Sequence, residues 1–323
     1  MKGLEYMCDI LFSVVIPVYN KSENVKETIQ SVLLQTEKNF EIIVIDDGST
    51  DDSIEIIKSF EDQRIKIINQ SNQGVSVARN NGIKNAKGKY VSFLDADDLW
   101  ETNYLEVTKK LFEKYSEAKI ACPSYRIKYE KKEYIPTWKN VSTYEDCIIT
   151  NFLETAVSNF WIFTSSNITI KNEIFNDMNI LFPVGESVYE DFDFYFRLGM
   201  RYKIAHSNKI CATYNRITNN NARTSHFNKV VYCNSFMNTL DSFMKSTNLN
   251  NSDKLLIKEI KDRRMVPYIF SLIFLHKKNQ AKKQLKSWFP VDKYKKYKLG
   301  LVIINYMPYF FVSLIQKIRY KIF

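Results

Sequence analysis

Three clusters of carboxylates are the groups best placed to do chemistry in this chain of 323 residues. They are Asp46–Asp47, then Asp95, Asp97 and Asp98 in the run FLDADDLW, and Glu190–Asp191. Asp95 and Asp97, which follow the apolar segment YVSFL, can present oxygen atoms to one hard divalent cation. Mg²⁺ and Mn²⁺ need few protein ligands where phosphates supply the rest. The spacing therefore predicts a metal site that binds a nucleoside diphosphate.

Two of the clusters also have a structural interpretation. The acids after Leu94 could be solvated side chains that cap a helix beginning near Glu101. Glu190 and Asp191 open a predicted helix, where the helix dipole favours negative charge. The chemical interpretation is favoured because buried-type strands lead directly into the first two clusters.

Strand and helix patterns alternate over the first 115 residues. Short apolar runs predict strands, and apolar residues spaced three and four apart predict helices. The predicted strands are Ser13–Val18, Glu41–Asp47, Arg64–Asn69 and Lys89–Leu94, and the helices are Ser22–Thr36, Asp51–Phe60, Gly74–Ala86 and Glu101–Tyr115. The alternation predicts an α/β fold with a mainly parallel sheet flanked by helices. Ligands of such sheets bind beyond the carboxyl ends of the strands, where the first two acidic clusters fall.

The pattern becomes more mixed beyond residue 116. Strands are predicted at Ile120–Tyr129 and Asn167–Lys171, and a helix at residues 187–201. From about residue 226 the sequence is helical and basic. We therefore divide the chain into residues 1–120, 121–225 and 226–323.

Composition excludes several classes of protein. Hydrophobic residues make up 45% and charged residues 25%, as in globular proteins, and the scarcity of Gly (8) and Pro (7) disfavours a turn-dense all-β fold. Five cysteines, an odd number, indicate free thiols in a reducing compartment. The first twelve residues contain no long apolar run, so no secretory signal is predicted and we expect a cytoplasmic protein.

Positive charge is concentrated towards the C-terminal end. The net charge is +10, and residues 254–323 hold 17 Lys and Arg against 3 Asp and Glu. Apolar stretches alternate with these lysines, and the 17 residues Leu299–Ile315 carry no charge. The pattern favours an amphipathic region that lies on an anionic membrane surface. A membrane-spanning hairpin and simple packing with a solvated basic face are the alternatives. No nucleic-acid-binding module is recognised, so no nucleic-acid partner is expected.

Four segments together carry a resemblance to a known family. They are SVVIPVYN, EIIVIDDGSTDDS, NQGVSVARNNGIKNAKGKYVSFLDADD and YEDFDFYFRL. In this order and spacing they resemble the inverting family 2 glycosyltransferases of the GT-A fold, of the kind that build bacterial surface polysaccharides. The resemblance implies that residues 1–120 bind a nucleotide-sugar, that residues 121–225 bind the acceptor and hold the catalytic group, and that residues 226–323 form a basic helical extension.

The resemblance implies how the nucleobase is held. Pro17, Tyr19 and Asn20 correspond to the first-strand segment around the base, where the ring of Tyr19 would stack or, alternatively, pack half-buried. Asp47 corresponds to the carboxylate that accepts a hydrogen bond from the base. Its neighbour Asp46 either shares that role or faces the adjacent helix.

The D-x-D motif carries the implied metal site. Asp95 and Ala96 would lie beside the ribose, and Asp95 would also face the metal or a metal-bound water. Asp97 would be the direct ligand of Mn²⁺ or Mg²⁺. Asp98 has the least defined role and could instead cap the next helix.

The resemblance also implies basic and polar groups near the phosphates. Arg79 and Asn80 would approach the pyrophosphate or ribose, although Arg79 could equally form an ion pair with Asp95 or Asp97. Many relatives carry Arg or His in a segment that closes over the phosphates. The corresponding stretch here, TYNRITNNNARTSH, offers Arg216, Arg223 and His226.

The later acidic pair corresponds to the catalytic group. Asp191 would be the general base that takes the proton of the acceptor hydroxyl, with Glu190 beside it. Asp193 is the alternative base, and Arg197 would orient one of these acids.

The sequence does not specify the acceptor, and it leaves alternatives for the function. Four aromatic side chains could stack on a sugar or pack in the core, namely Trp138, Phe160, Trp161 and Phe163. The resemblance implies a metal-dependent transfer from a nucleoside-diphosphate sugar, most commonly a UDP-sugar, to a saccharide or lipid-linked acceptor in lipopolysaccharide, capsule or similar synthesis. Such an enzyme would work at the inner face of the cell membrane. The alternatives are a non-catalytic relative that binds nucleotide-sugar or glycan, and a sugar nucleotidyltransferase.

Overall fold

The computed structural model describes residues 10–158, 162–177, 180–186, 188–217, 230 and 232–308. The chain forms two compact units, Met1–Asn219 and Asn220–Phe323. The predicted boundary near residue 225 lies outside the described residues.

The first part of the first unit alternates strands with helices. In chain order the elements are β1 (Phe12–Val18), α1 (Val25–Leu33), β2 (Phe40–Asp46), α2 (Ser53–Lys58), β3 (Ile65–Asn69), α3 (Val75–Asn85) and β4 (Tyr90–Phe93). All four strands are parallel, in the order β3-β2-β1-β4. The predicted α/β alternation is confirmed here, with boundaries that move by at most three residues.

The second part of this unit extends the same sheet. Its elements are β5 (Leu99–Trp100), α4 (Tyr104–Lys114), β6 (Ile120–Lys128), β7 (Glu133–Tyr134), β8 (Cys147–Ile148), α5 (Phe152–Ala156), β9 (Thr169–Lys171), a 3₁₀ turn (Asn172–Asn176), α6 (Glu190–Gly199) and β10 (Ile204–Asn215). Strand β9 pairs antiparallel with both β4 and β6, and β6 pairs in parallel with β10. The sheet is therefore parallel through β4 and mixed beyond it, and it crosses residue 120 without a break.

The central strands are buried on both faces. The sequences FSVVIPV of β1 and FEIIVID of β2 are almost continuously apolar, as expected for parallel strands covered by helices. Helix α3 lies directly against β1 at Gly82, where an added Cβ would be 2.2 Å from Val15 Cγ1. This contact fixes the helix that carries Arg79 and Asn80.

Strand β10 was not anticipated from the sequence. Its segment IAHSNKICATYN interrupts its apolar residues with polar ones, so neither strict alternation nor a continuous apolar run is present. The pairing with β6 shifts register between Ser207 and Ile210 and again between Ile210 and Ala212. These irregularities remove the period of two that identifies a strand.

The second unit is helical over its described residues. Its helices are α7 (Asn234–Lys245), α8 (Asn251–Phe274), α9 (Lys278–Ser287) and α10 (Asp292–Tyr306). The buried carboxylate of Asp262 accepts hydrogen bonds from Trp288 Nε1 at 2.6 Å and from Val291 N at 2.8 Å. This pair of bonds ties the end of α9 to α8. Within the described residues, none of the helices is long and apolar enough to span a membrane.

Candidate functional site

The D-x-D motif leaves the carboxyl end of β4, as the sequence predicts. Asp95 and Asp97 keep 30% and 13% of their side chains exposed. Asp98 is buried, and its carboxylate accepts hydrogen bonds from Ser166 Oγ at 2.5 Å and Asn215 N at 2.8 Å. Burial, together with the charges of Asp97 and Asp95, raises the pKa of Asp98 well above its usual range. Asp98 therefore anchors the end of β10 and caps no helix.

A lysine that sequence reasoning overlooked lies against the motif. The ammonium of Lys21 is 2.5 Å from Asp97 Oδ2, and both side chains are largely buried. A single Lys in a loop carries no periodicity or spacing signal. Only the fold brings it to a residue that lies 76 positions further along the chain.

Arg79 joins the D-x-D motif to the later acidic pair, Glu190 and Asp191. Its Nη2 donates to Asp95 Oδ1 at 2.7 Å, and its Nη1 lies 3.5 Å from Glu190 Oε1. The guanidinium is almost completely buried and lies over the ring of Phe182. Burial disfavours the charged form, but the charges of Asp95 and Glu190 raise the pKa of Arg79 above its ordinary value. The structure shows the ion pair of Arg79 with Asp95, and a second one with Glu190 in place of Asp97. A contact between Arg79 and the ligand stays a prediction.

Asn80 makes a different set of contacts. Its Nδ2 donates to the carbonyl of Phe182 and its Oδ1 accepts from the Phe182 N–H, each at 2.9 Å. Both ends of the amide are thus used within the protein. A direct contact between Asn80 and the nucleotide stays a prediction, while its positioning of the chain before α6 is visible in the structure.

The candidate base stands in the first turn of α6. Helix α6 begins after Tyr189, which adopts a left-handed φ of 60°. Burial and the neighbouring charge of Glu190 raise the pKa of Asp191 to about 7. A general base works best when its pKa lies near the operating pH, so this environment suits the predicted role.

The alternative base is already engaged. Asp193 is buried and forms an ion pair with Arg197 at 2.8 Å. Arg197 also donates to the carbonyl of Leu181 at 2.6 Å. Arg197 therefore orients Asp193, which favours Asp191 as the reactive acid.

The two acids at the end of β2 hold the neighbouring loops in place. Asp47 is buried and accepts hydrogen bonds from Gln70 Nε2, Gln73 N and Gly74 N at 2.7–2.9 Å. These bonds tie the loop before α3 to the end of β2. Asp46 accepts from Ser49 N at 2.9 Å and so turns the chain after β2.

The segment after β1 presents an aromatic ring beside these loops. Tyr19 is 47% exposed, so its ring is accessible for stacking. Pro17 is half-buried in β1. Asn20 has a left-handed φ of 52°, and its Oδ1 accepts from Thr50 N at 2.8 Å. The predicted nucleobase segment is therefore held to the loop that follows β2.

The acidic site fits a divalent cation that draws part of its coordination from a ligand. Across the described part of the chain, no three His, Cys, Asp or Glu residues converge as a complete metal site. Asp95 and Asp97 can supply two carboxylates, and Ala96 between them is buried. Mg²⁺ and Mn²⁺ commonly take the remaining oxygens from water and phosphates. The residues present fit such an ion.

The predicted acceptor and phosphate groups are only partly described. Trp138 and Phe163 are buried and pack against other rings, so packing in the core accounts for them. Arg216 donates to the Tyr129 hydroxyl at 3.1 Å. The remaining candidates, Phe160, Trp161, Arg223 and His226, lie outside the described residues.

A cavity of about 680 Å³ lies elsewhere on this unit. It is lined by Gly88 and Lys89 just before β4, by Lys171 at the end of β9, and by Asn172, which follows Lys171. The candidate site is at the opposite, carboxyl end of β4. The cavity therefore has no part in the chemistry of the carboxylates.

The sheet order and the acidic groups at its carboxyl edge define the class of the fold, which is that of the GT-A glycosyltransferases. The model of the family "Glycosyl transferase family 2" matches residues 13–178, just over half of the sequence. The chain belongs to this family.

Among curated relatives, an uncharacterised glycosyltransferase of Rickettsia conorii is 48% identical over 128 residues, which cover 39% of this chain and 21% of the relative. An Escherichia coli protein, WfaP, named as a UDP-Glc:α-D-GlcNAc-diphosphoundecaprenol β-1,3-glucosyltransferase, is 44% identical over 114 residues, covering 33% of this chain and 45% of the relative. The chain thus spans less than half of the length of either relative.

Solved structures resemble nearly the whole chain. TarS of Staphylococcus aureus (residues 1–349), in complex with UDP-GlcNAc, has a TM-score of 0.67 at 18% identity and covers 92% of this chain and 89% of its own. The mannosyltransferase PcManGT of Pyrobaculum calidifontis, in complex with GDP-Man and Mn²⁺, has a TM-score of 0.57 at 13% identity, with 95% and 86% covered. At these identities the likeness shows the fold alone.

Proposed function

We propose that this protein is a metal-dependent inverting glycosyltransferase. The observation that carries the proposal is the bridge made by Arg79, which brings Asp95 of the donor-side motif and Glu190 of the catalytic pair to one guanidinium. Asp191, the neighbour of Glu190, has its pKa raised to about 7 by burial and by the Glu190 charge. The proposed donor site therefore lies next to Asp191, a base of suitable pKa.

The reaction is an in-line displacement at the anomeric carbon. The acceptor hydroxyl oxygen forms a bond to that carbon as Asp191 takes the hydroxyl proton. The bond between the carbon and the diphosphate oxygen breaks on the opposite face, so the configuration inverts. Asp97 and Asp95 would hold Mn²⁺ or Mg²⁺, and the charge of the bound ion would stabilise the departing nucleoside diphosphate. Because the proton moves as the new bond forms, the base needs only a pKa near the working pH.

We propose a UDP-sugar as the donor and a saccharide or lipid-linked saccharide as the acceptor, in bacterial surface-glycan synthesis. Two comparisons support this choice. The TarS structure contains UDP-GlcNAc, and the name of WfaP specifies a UDP-sugar donor and a diphosphoundecaprenol acceptor. The exposed ring of Tyr19 beside Asn20 is a suitable platform for a nucleobase.

For the second unit we propose peripheral binding to an anionic membrane at the cytoplasmic face. Leu299, Ile303 and Tyr306 follow one another at intervals of four and three along α10, and their exposed fractions are 63%, 50% and 68%. Residues with this spacing share one face of a helix. The same helix carries the exposed lysines Lys293, Lys295 and Lys296. Apolar side chains and lysines on one helix are typical of binding to anionic lipid.

The test of the activity is thermal denaturation of the purified protein with UDP, GDP, CDP and dTDP, each with and without Mn²⁺. A ligand at 100 times its dissociation constant stabilises a protein by about 2.7 kcal/mol, which gives a clear shift. We expect a Mn²⁺-dependent shift with UDP, and its loss in Asp97→Asn. A shift without sugar transfer would identify a non-catalytic relative. No shift with any nucleotide would reject the donor site.

A further inference from the structure

We propose that Lys21 is a built-in counterion of Asp97 that competes with the divalent metal. This inference rests on the proposed function, since it concerns the carboxylate that would bind the metal. The Lys21 ammonium lies 2.5 Å from Asp97 Oδ2, so it already occupies one oxygen that the metal would use. A cation that approaches this carboxylate is therefore repelled by the positive charge of Lys21, and binds more easily once Lys21 withdraws.

The position of Lys21 is imposed by the fold and is not that of a mobile surface side chain. Its own N–H donates to Ser53 Oγ at 2.7 Å, and the next residue, Ser22, donates from N to Asp51 Oδ2 at 3.0 Å. On the other side, Asn20 N donates to Ser49 Oγ at 3.2 Å. Three consecutive backbone N–H groups are thus hydrogen-bonded to the loop after β2 and to the start of α2. The ammonium is aimed at Asp97 with only 16% of the side chain exposed.

Charge balance in the cluster explains why a counterion is useful there. Arg79 faces Asp95 and Glu190. The carboxylate of Asp97 is matched by Lys21. If a metal binds Asp97, the ammonium of Lys21 is released and would lie next to the proposed site of the anionic nucleoside diphosphate.

The competition can be measured without any sugar transfer. Mn²⁺ is titrated into the full-length protein, with and without excess UDP, and free Mn²⁺ is followed by electron paramagnetic resonance. In Lys21→Met the competing cation is absent, so we expect Mn²⁺ to bind about two- to ten-fold more tightly, as removal of a partly exposed ion pair allows. Mn²⁺ should also raise the melting temperature of Lys21→Met more than that of the wild type, because a ligand that binds more tightly stabilises the folded state more.

Two further variants isolate the effect. Lys21→Arg retains the positive charge and should keep the wild-type affinity for Mn²⁺. Lys26→Met removes an exposed lysine of α1 and should change nothing. If Lys21→Met does not fold, Lys21→Gln takes its place in the same titration.

The outcomes separate this inference from the function on which it rests. Unchanged or weaker Mn²⁺ binding in Lys21→Met, with binding intact in the wild type, overturns the competition alone. Binding in Lys21→Met but not in the wild type supports it most directly. An absence of Mn²⁺ binding in every variant, with or without UDP, rejects both the metal site and the competition.

Discussion

Asn80 and Phe182, 102 residues apart, are joined by two hydrogen bonds of 2.9 Å between the amide of the first and the backbone of the second. The Phe182 ring stacks on Phe194 of α6 with centroids 3.9 Å apart. Helix α3 therefore fixes the segment that leads into α6. Arg79 precedes Asn80 on the same helix. Helix α3 therefore both pairs with Asp95 and Glu190 and holds the segment around Phe182 that lies between them in the sequence.

This relationship predicts the effect of Asn80→Ala. The variant leaves the buried N–H and carbonyl of Phe182 without partners, which costs about 1–3 kcal/mol of unfolding free energy. We expect lower turnover with little change in nucleotide affinity, measured by urea denaturation and by calorimetric titration of UDP. Asn85→Ala, at the exposed end of α3, is the control. A large loss of UDP affinity would instead indicate a direct contact with the nucleotide.

Asp191→Asn tests the assignment of the base. The variant keeps the shape of the side chain but cannot take a proton, so turnover should fall about 10²–10⁴-fold. Nucleotide binding should be retained, because Asp191 faces the acceptor in the proposed reaction. Release of nucleoside diphosphate measures turnover, and Asp177→Asn on the surface is the control. Full turnover in Asp191→Asn would transfer the role to another group.

The pH dependence of turnover follows from the raised pKa. To act as the proposed base, Asp191 must be deprotonated, and burial and the charge of Glu190 raise its pKa to about 7. Turnover should therefore rise about tenfold per pH unit below 7 and level off above it. A flat profile between pH 5.5 and pH 8, at saturating substrate, is incompatible with this base.

The raised pKa of Asp191 also predicts how the stability of the protein depends on pH. The ordinary pKa of an Asp is about 3.9, so between pH 4 and pH 7 the folded state holds a proton that the unfolded state has lost. The free energy of unfolding contributed by Asp191 therefore falls as the pH rises through this window, and the cost persists above pH 7. Asp191→Asn should be more stable than the wild type at pH 8, on the order of 1–2 kcal/mol, and equal to it near pH 4. Urea denaturation at both values measures the difference.

The proposed membrane binding would use the exposed face of α10. Replacing Leu299, Ile303 and Tyr306 together by Ser removes the apolar contact while leaving the lysines in place. We expect the variant to remain in the supernatant when wild-type protein sediments with liposomes containing phosphatidylglycerol. High salt should weaken the wild-type interaction, because its lysine contribution is screened. Equal sedimentation of both proteins would refute a role for this face.

The parallel part of the fold could be predicted because its signals are local. Apolar runs identify β1, β2 and β4, and the acids at the ends of β2 and β4 identify the edge of the sheet at which the candidate site lies. The signal fails for β10, whose buried His206 and Ser207 interrupt the apolar pattern. A strand with shifted register has no simple period to detect.

The site was predictable in its residue types but not in its pairings. The sequence placed Asp95, Asp97 and Asp191 among the candidates. It could not show that Lys21 meets Asp97, because that contact depends on how two loops fold together. It also assigned Asp47 to a ligand, whereas the carboxylate binds three donors of the chain itself. Whether Asp47 also binds the nucleobase stays a prediction.

The contact between Gly82 and Val15 sets a limit for protein engineering. An added Cβ at position 82 would lie 2.2 Å from the Val15 side chain, so any larger residue would push α3 away from the sheet. Arg79 lies one helical turn earlier and would move with it. Libraries that aim to change donor preference can vary the exposed Tyr19, but they should leave position 82 untouched. A substitution at a residue that contacts neither the donor nor the acceptor can thus disrupt the site.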